Sequence, residues 1–265
     1  MEIIVNHAHV FQKEVREDGT ISALKETMDV CSIDKAVCFA PFAEQYNDDG
    51  RNQNRWLYEQ IRNDSSFFAF GTVDFSKNNL KDQTQEIYEF GFDGIKMHPS
   101  FQNFKIDDDK ACEVYEVAEK YGLPISFHTG VHWNRLKNDH VLLYDEISHR
   151  YPGLKICMEH VGGYSFFSDA VAVMCNNRGK IYAGLTSVFD RDANRLWYLG
   201  KEKVKDLIWL TDVDQCIFGL DFPYNSSDKI AEAMKIMHEC IDEMNLGENA
   251  IEKIFGGNLK KMISK

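Results

Sequence analysis

Short apolar runs alternate with amphipathic stretches along nearly the whole chain. The first run, Glu2-Ile3-Ile4-Val5, leads into Asn6-His7-Ala8-His9, and comparable runs recur at 35–40, 67–74, 93–98, 124–128, 154–159, 180–185 and 215–220. Runs of this length, bounded by turn residues and apolar on both alternating sets, predict strands buried on both faces. Between them, 22–32, 54–62, 80–90, 109–121, 141–151, 166–175, 204–209 and 228–244 read as helices. In 109–121, for example, Ala111, Val114, Tyr115 and Ala118 fall on one stripe. A loop rich in Asn and Asp follows the second strand, and two shorter helical pieces, 249–255 and 258–263, close the chain. Eight strands alternating with helices predict an α/β fold, a (β/α)8 TIM barrel, with functional groups at the C-terminal ends of the strands. No linker or shift of composition divides it, so a single domain over residues 1–265 is expected.

The formal net charge of −12 argues against a nucleic-acid partner, which would demand clustered Lys and Arg. The acids are dispersed along the helical segments and read as a solvated surface. No apolar run approaches the roughly 20 residues of a membrane span, and no secretory signal is visible at the N-terminus, so a cytoplasmic protein without membrane contact is expected. The seven cysteines form no CxxC pair, which predicts reduced thiols and no disulfide framework.

The chemistry lies at the strand ends. His7 and His9 close the first strand, Lys96 and His98 the fourth, His128 the fifth, His160 follows the sixth, and Asp221 follows the eighth. Side chains at i and i+2 of a strand share a face, so His7 and His9 can offer two imidazoles to one point. Taken singly, each member could be a hydrogen-bonded core histidine or, for Asp221, a turn cap. Barrel strand ends converge on one mouth, so together they form a constellation suited to a metal.

The motifs His7-Ala8-His9, Gly94-Ile95-Lys96-Met97-His98-Pro99, Phe127-His128-Thr129-Gly130, Glu159-His160-Val161-Gly162-Gly163 and Gly219-Leu220-Asp221-Phe222-Pro223 resemble those of the amidohydrolase superfamily. The resemblance is to its amidohydrolase-related group of metal-dependent hydrolases and non-oxidative decarboxylases, and it runs over nearly the whole chain, including Asn54 and the closing Ile254-Phe255-Gly256-Gly257-Asn258. It implies that His7, His9, His128 and Asp221 hold one divalent ion, zinc by preference, with Asp221 and His160 as the catalytic acid/base groups, His160 being equally readable as a further ligand. Val5 stands where relatives commonly carry an Asp two residues before the first His, which removes an outer anchor of the ligands.

Lys96 admits three readings: a positive group for a substrate carboxylate beside one metal, a carboxylated bridge in a binuclear site, or a plain surface lysine. His98 and Arg135 complete the expected substrate contacts, His98 being equally readable as a turn-stabilising residue. The aromatic clusters Phe67-Phe68-Phe70 and Tyr164-Phe166-Phe167 read as packing. The expected function is hydrolysis of a small carboxylate-bearing substrate through a metal-activated water. The alternatives are non-oxidative decarboxylation of an aromatic or unsaturated acid and, least favoured, a non-catalytic metal- or ligand-binding barrel. The resemblance also implies a homodimer associating through its helical outer ring.

Overall fold

The computed structural model describes residues 1–47 and 50–264; Asp48 and Asp49, in the Asn- and Asp-rich loop, lie outside the described residues. Eight parallel strands, β1 (Ile4–His9), β2 (Lys35–Phe39), β3 (Phe67–Gly71), β4 (Gly94–Met97), β5 (Ile125–His128), β6 (Ile156–Glu159), β7 (Ile181–Leu185) and β8 (Cys216–Phe222), close in sequence order into a barrel. Between and after them run α1 (Ile21–Val30), α2 (Gln53–Ile61), α3 (Leu80–Glu89), α4 (Asp109–Tyr121), α5 (Leu143–Arg150), α6 (Gly163–Asn176), α7 (Gly200–Thr211), α8 (Ser227–Glu243), α9 (Glu248–Glu252) and α10 (Asn258–Ile263). The expected barrel is therefore the observed one. The largest departure is α7, which starts at Gly200, four residues before the expected 204.

Strand alternation sorts the core into two compartments. Outward residues such as Val5, Ala36, Cys38, Ile95 and Phe127 join one large cluster with the helices. Inward residues Ile4, Val37, Phe39, Phe70, Cys157, Tyr182 and Ile217 form a second cluster with Leu259, Met262 and Ile263 of α10. The C-terminal helix thus plugs the N-terminal end of the barrel. Asn258 ties the plug to the approach to β8, its Nδ2 donating to the carbonyls of Val213 and Cys216 at 2.7 Å each.

Above this apolar floor the barrel interior turns polar. Asn6, Lys96, Ser126, Glu159 and Thr186 are all fully buried, and two glycines make room for Glu159 and Thr186. A Cβ on Gly184 would lie 2.1 Å from Glu159 Oε2, and one on Gly219 would lie 2.1 Å from Thr186 Oγ1. Local signals fix the helix ends: Asp108 accepts from Ala111 N at 2.8 Å at the start of α4, and Gly122, at φ 65°, ends it. Asn54 of α2 clamps the chain after β3 through two 2.9 Å bonds with Thr72, Nδ2 donating to its carbonyl and Oδ1 accepting from its N–H.

Phe67, Phe70 and Phe167 are core residues as expected, whereas Tyr164 is exposed and carries Lys203 over its ring at 4.0 Å. All seven cysteines are free. Among the described residues no helix is long and apolar enough to cross a membrane.

Candidate metal centre

His7 and His9 meet, but not through plain alternation. His7 has φ 71°, and the pairing of β1 slips between Val5 and Ala8 against β2 and between Asn6 and Ala8 against β8. This is a β-bulge. It lets Asn6 and His7 both turn inward before Ala8 returns to the outer cluster. His7 Nε2 then lies 3.1 Å from His9 Nε2 and 3.4 Å from Asp221 Oδ1. One ligand atom from each of the three residues falls within 4.8 Å of the others, a group able to hold a metal ion.

The same backbone device recurs around the mouth. His160 (φ 62°), Val161 (φ 50°), Ser187 (φ 57°) and Asp221 (φ 56°) all occupy the left-handed region, which disfavours L side chains and most of all a β-branched one. Such residues persist where surrounding bonds over-determine them. After β6, Thr129 Oγ1 does this by donating to the Glu159 carbonyl (2.5 Å) and accepting from Gly162 N–H (2.7 Å). At Asp221, Ser187 Oγ donates to Oδ2 at 2.5 Å, and Asn225 Nδ2 in turn donates to Ser187 Oγ at 3.0 Å.

Burial sets the charges. It pushes the Asp221 carboxyl up to about 6, against the opposing pull of the Ser187 hydrogen bond and Lys96. It holds His7, His9, His98 and His128 well below the ordinary imidazole value, so these rings are neutral and keep a lone pair for a metal. His160 is lowered to about 4 by burial and then by Lys96. Its Nδ1 lies 2.8 Å from the Thr186 carbonyl, which can only accept, so Nδ1 carries the proton and Nε2 is left as a base.

These groups line a cavity of about 440 Å³. Its walls are aromatic: Phe42, Phe101, Tyr224 and Trp197, the last stacked on His160 with ring centres 5.0 Å apart. His98, His128 and His132 continue this lining, His98 and His128 stacked face to face at 3.8 Å and His128 edge-on to Trp197 at 5.5 Å.

Three of the expected residues stand apart from the group of three. His128 is in the cavity with its Nε2 buried and unpartnered, but stacking on His98 holds it outside the tight group of three. Lys96 does not line the cavity. It is paired in register with Ser126, one pleat below the mouth, where its unpartnered Nζ sits 4.8 Å from the Phe39 ring and burial lowers it to about 8. Arg135 is exposed and also absent from the lining; the loop after β5 contributes His132 instead. His98 does line the cavity, as expected of a substrate contact, while its Nδ1 accepts from Phe101 N–H at 3.3 Å.

Glu159 was not anticipated in its role. It is fully buried and lies 2.9 Å from His7 Nδ1 through Oε2. The available signal was a lone carboxylate inside an apolar strand. Trp197, by contrast, reaches the cavity from a long loop with no periodicity to mark it.

The Amidohydrolase family model matches residues 14–262. A 2-amino-3-carboxymuconate-6-semialdehyde decarboxylase of Dictyostelium discoideum is 22% identical over 228 residues, covering 72% of this chain and 61% of that protein. The chain thus spans only about 61% of the length of the curated relative it matches. Two solved structures share the fold across 99% of the chain. One is a dihydroxybenzoic acid decarboxylase from Polaromonas sp. JS666 with bound manganese and 2-nitroresorcinol (TM-score 0.73, 16% identity, 96% of that chain covered). The other, from Acinetobacter baumannii, is described as a probable 2-pyrone-4,6-dicarboxylic acid hydrolase with citric acid bound (TM-score 0.71, 11% identity, 99% covered).

Proposed function

The chain belongs to the amidohydrolase family, and from that premise we propose that it is a metal-dependent, non-oxidative decarboxylase of a small planar carboxylic acid. One observation carries the reading: a ligand-type cluster opens into an aromatic-walled cavity whose described lining contains no Lys or Arg. Such a cavity suits a flat, unsaturated acid whose single carboxylate is met at the ligand cluster rather than by a separate cationic anchor. The decarboxylases among the relatives support the same class.

His7, His9 and Asp221 would hold one divalent ion, with His128 as a further donor facing the same cavity. Zinc and manganese both suit imidazole and carboxylate donors. When bound, the ion supplies positive charge that polarises a substrate oxygen. The chain's own groups supply the rest. Phe42, Phe101 and Trp197 hold the ring and exclude water. His160 takes a proton at Nε2 from a substrate hydroxyl or equivalent acidic group. As the C–C bond to the carboxylate breaks, its electron pair stays on the ring or alkene carbon, and the His160 imidazolium returns its proton there. The seven unpaired thiols accord with a reducing compartment.

Hydrolysis is the second reading, favoured by the same free Nε2 of His160, which can equally take a proton from water. The metal-loaded protein is expected to release CO₂ from members of a panel of aryl and alkenyl carboxylic acids and, in D₂O, to place deuterium on the carbon that lost it. Turnover confined to a parallel ester, lactone and amide panel would overturn decarboxylation in favour of hydrolysis.

A further inference from the structure

We propose that Glu159 is a positioning residue of this centre: it fixes His7 as the Nδ1–H tautomer, so that the Nε2 lone pair faces His9 and Asp221. The inference rests on the metal-centre reading above and adds to it the residue that makes His7 a competent ligand.

A carboxylate offers only acceptors, so of the two ring nitrogens the one closer to a carboxylate is favoured to carry the proton: Nδ1 is 2.9 Å from Glu159 and Nε2 3.4 Å from Asp221. His7 Nδ1 stands 2.9 Å from Glu159 Oε2, a charge contact that lies off the line of a hydrogen bond, while its Nε2 is the atom that approaches His9 and Asp221. With the proton drawn to Nδ1, Nε2 is free to ligate. Without Glu159, the carboxylate left beside the ring is Asp221, 3.4 Å from Nε2, which would draw the proton to the ligating nitrogen.

Glu159 is itself held from three strands or their ends. Oε1 accepts from Asn6 Nδ2 of β1 at 2.6 Å and from Ser126 Oγ of β5 at 2.7 Å, and Oε2 accepts from Thr186 Oγ1, just past β7, at 3.0 Å. Its own backbone is pinned by Thr129. A fully buried carboxylate carries a heavy desolvation cost, and the barrel has given up a side chain at Gly184 to seat it. Lys96 lies in the same polar layer and would be served by any nearby negative charge. The specific 2.9 Å approach to Nδ1 marks the additional role.

The test begins with the wild-type protein free of metal, labelled with ¹⁵N-histidine. His7 is expected to show Nδ1 protonated and Nε2 unprotonated; the opposite tautomer overturns the proposal whether or not any metal binds. Glu159→Gln is then titrated with Zn²⁺ and Mn²⁺ against a competing chelator. The affinity is expected to fall roughly 10–100-fold, as for loss of an outer partner of a metal-bound histidine, and His7 is expected to lose its single tautomer. Ser126→Ala removes one bond to Glu159 but leaves the contact with His7, so it should keep both the tautomer and an affinity near wild type. An unchanged affinity in Glu159→Gln, or an equal loss in Ser126→Ala, would show a general structural role and overturn the proposal. Failure of the wild-type protein to take up either metal would defeat the metal-centre reading, while the tautomer measurement still decides on Glu159.

Discussion

Asp221→Asn is expected to lower kcat by roughly 10²–10⁴-fold, the range for removal of a group that handles protons or charge at the reacting centre, without unfolding the barrel. The carboxyl is buried and pushed up to about 6, so the folded state favours its neutral form. The sign follows directly. A carboxyl raised on folding costs stability once it ionises, and an isosteric neutral amide removes that cost. The metal-free variant should therefore melt no lower than wild type at pH 7 while losing activity, the usual opposition of stability and function at a working site.

Metal uptake carries the same sign. Below about 6 a proton competes with the ion for Asp221, so wild-type affinity should rise as the pH is raised through that value, and the variant should lack this rise. Steady-state rates, a thermal melt and metal titrations at several pH values check the three statements. An active variant, or one with an undiminished pH dependence, would remove Asp221 from the centre.

Gly184→Ala should produce a large loss of stability. The new carbon would lie 2.1 Å from Glu159 Oε2 and 2.6 Å from its carboxyl carbon. The carboxylate has nowhere to move without breaking its bonds to Asn6, Ser126 and Thr186. Overpacking of this kind typically costs about 1–3 kcal/mol; with the buried carboxylate displaced as well, the upper end of that range or beyond is expected. A denaturant titration reads it as a lower midpoint at unchanged slope, and metal affinity should fall with it. A midpoint equal to wild type would mean that the polar layer is softer than its hydrogen bonds imply.

The barrel was legible because each of its strands is a short apolar run with turn residues at both ends, and length together with period separates those runs from the longer striped helices. The ligand-type residues were legible for a related reason: a polar residue closing an apolar run has to lie at a strand end, and strand ends converge. Depth within the barrel was not legible. Lys96 and His98 lie two residues apart on the same inward face, and only closure of the barrel decides that His98 reaches the cavity while Lys96 stops below it beside Phe39.

Nor does a period-two pattern announce a bulge. His7 enters the centre through a left-handed backbone that the sequence around it does not require locally. Glu159 and Gly184 make sense only as a pair, joined by the register between β6 and β7. Arg135 and Trp197 sit in irregular loops, where tertiary packing alone chooses which side chain turns inward; it chose Trp197 and left Arg135 in solvent.

The central claim is that His7, His9 and Asp221 hold one catalytic ion. Elemental analysis of the purified protein after loading and desalting tests it most directly, run beside His7→Ala and Lys96→Ala. The account predicts about one equivalent of divalent metal in the wild type, lost in His7→Ala and retained in Lys96→Ala. No metal in the wild type under any loading, or two equivalents of which one disappears in Lys96→Ala, would contradict it.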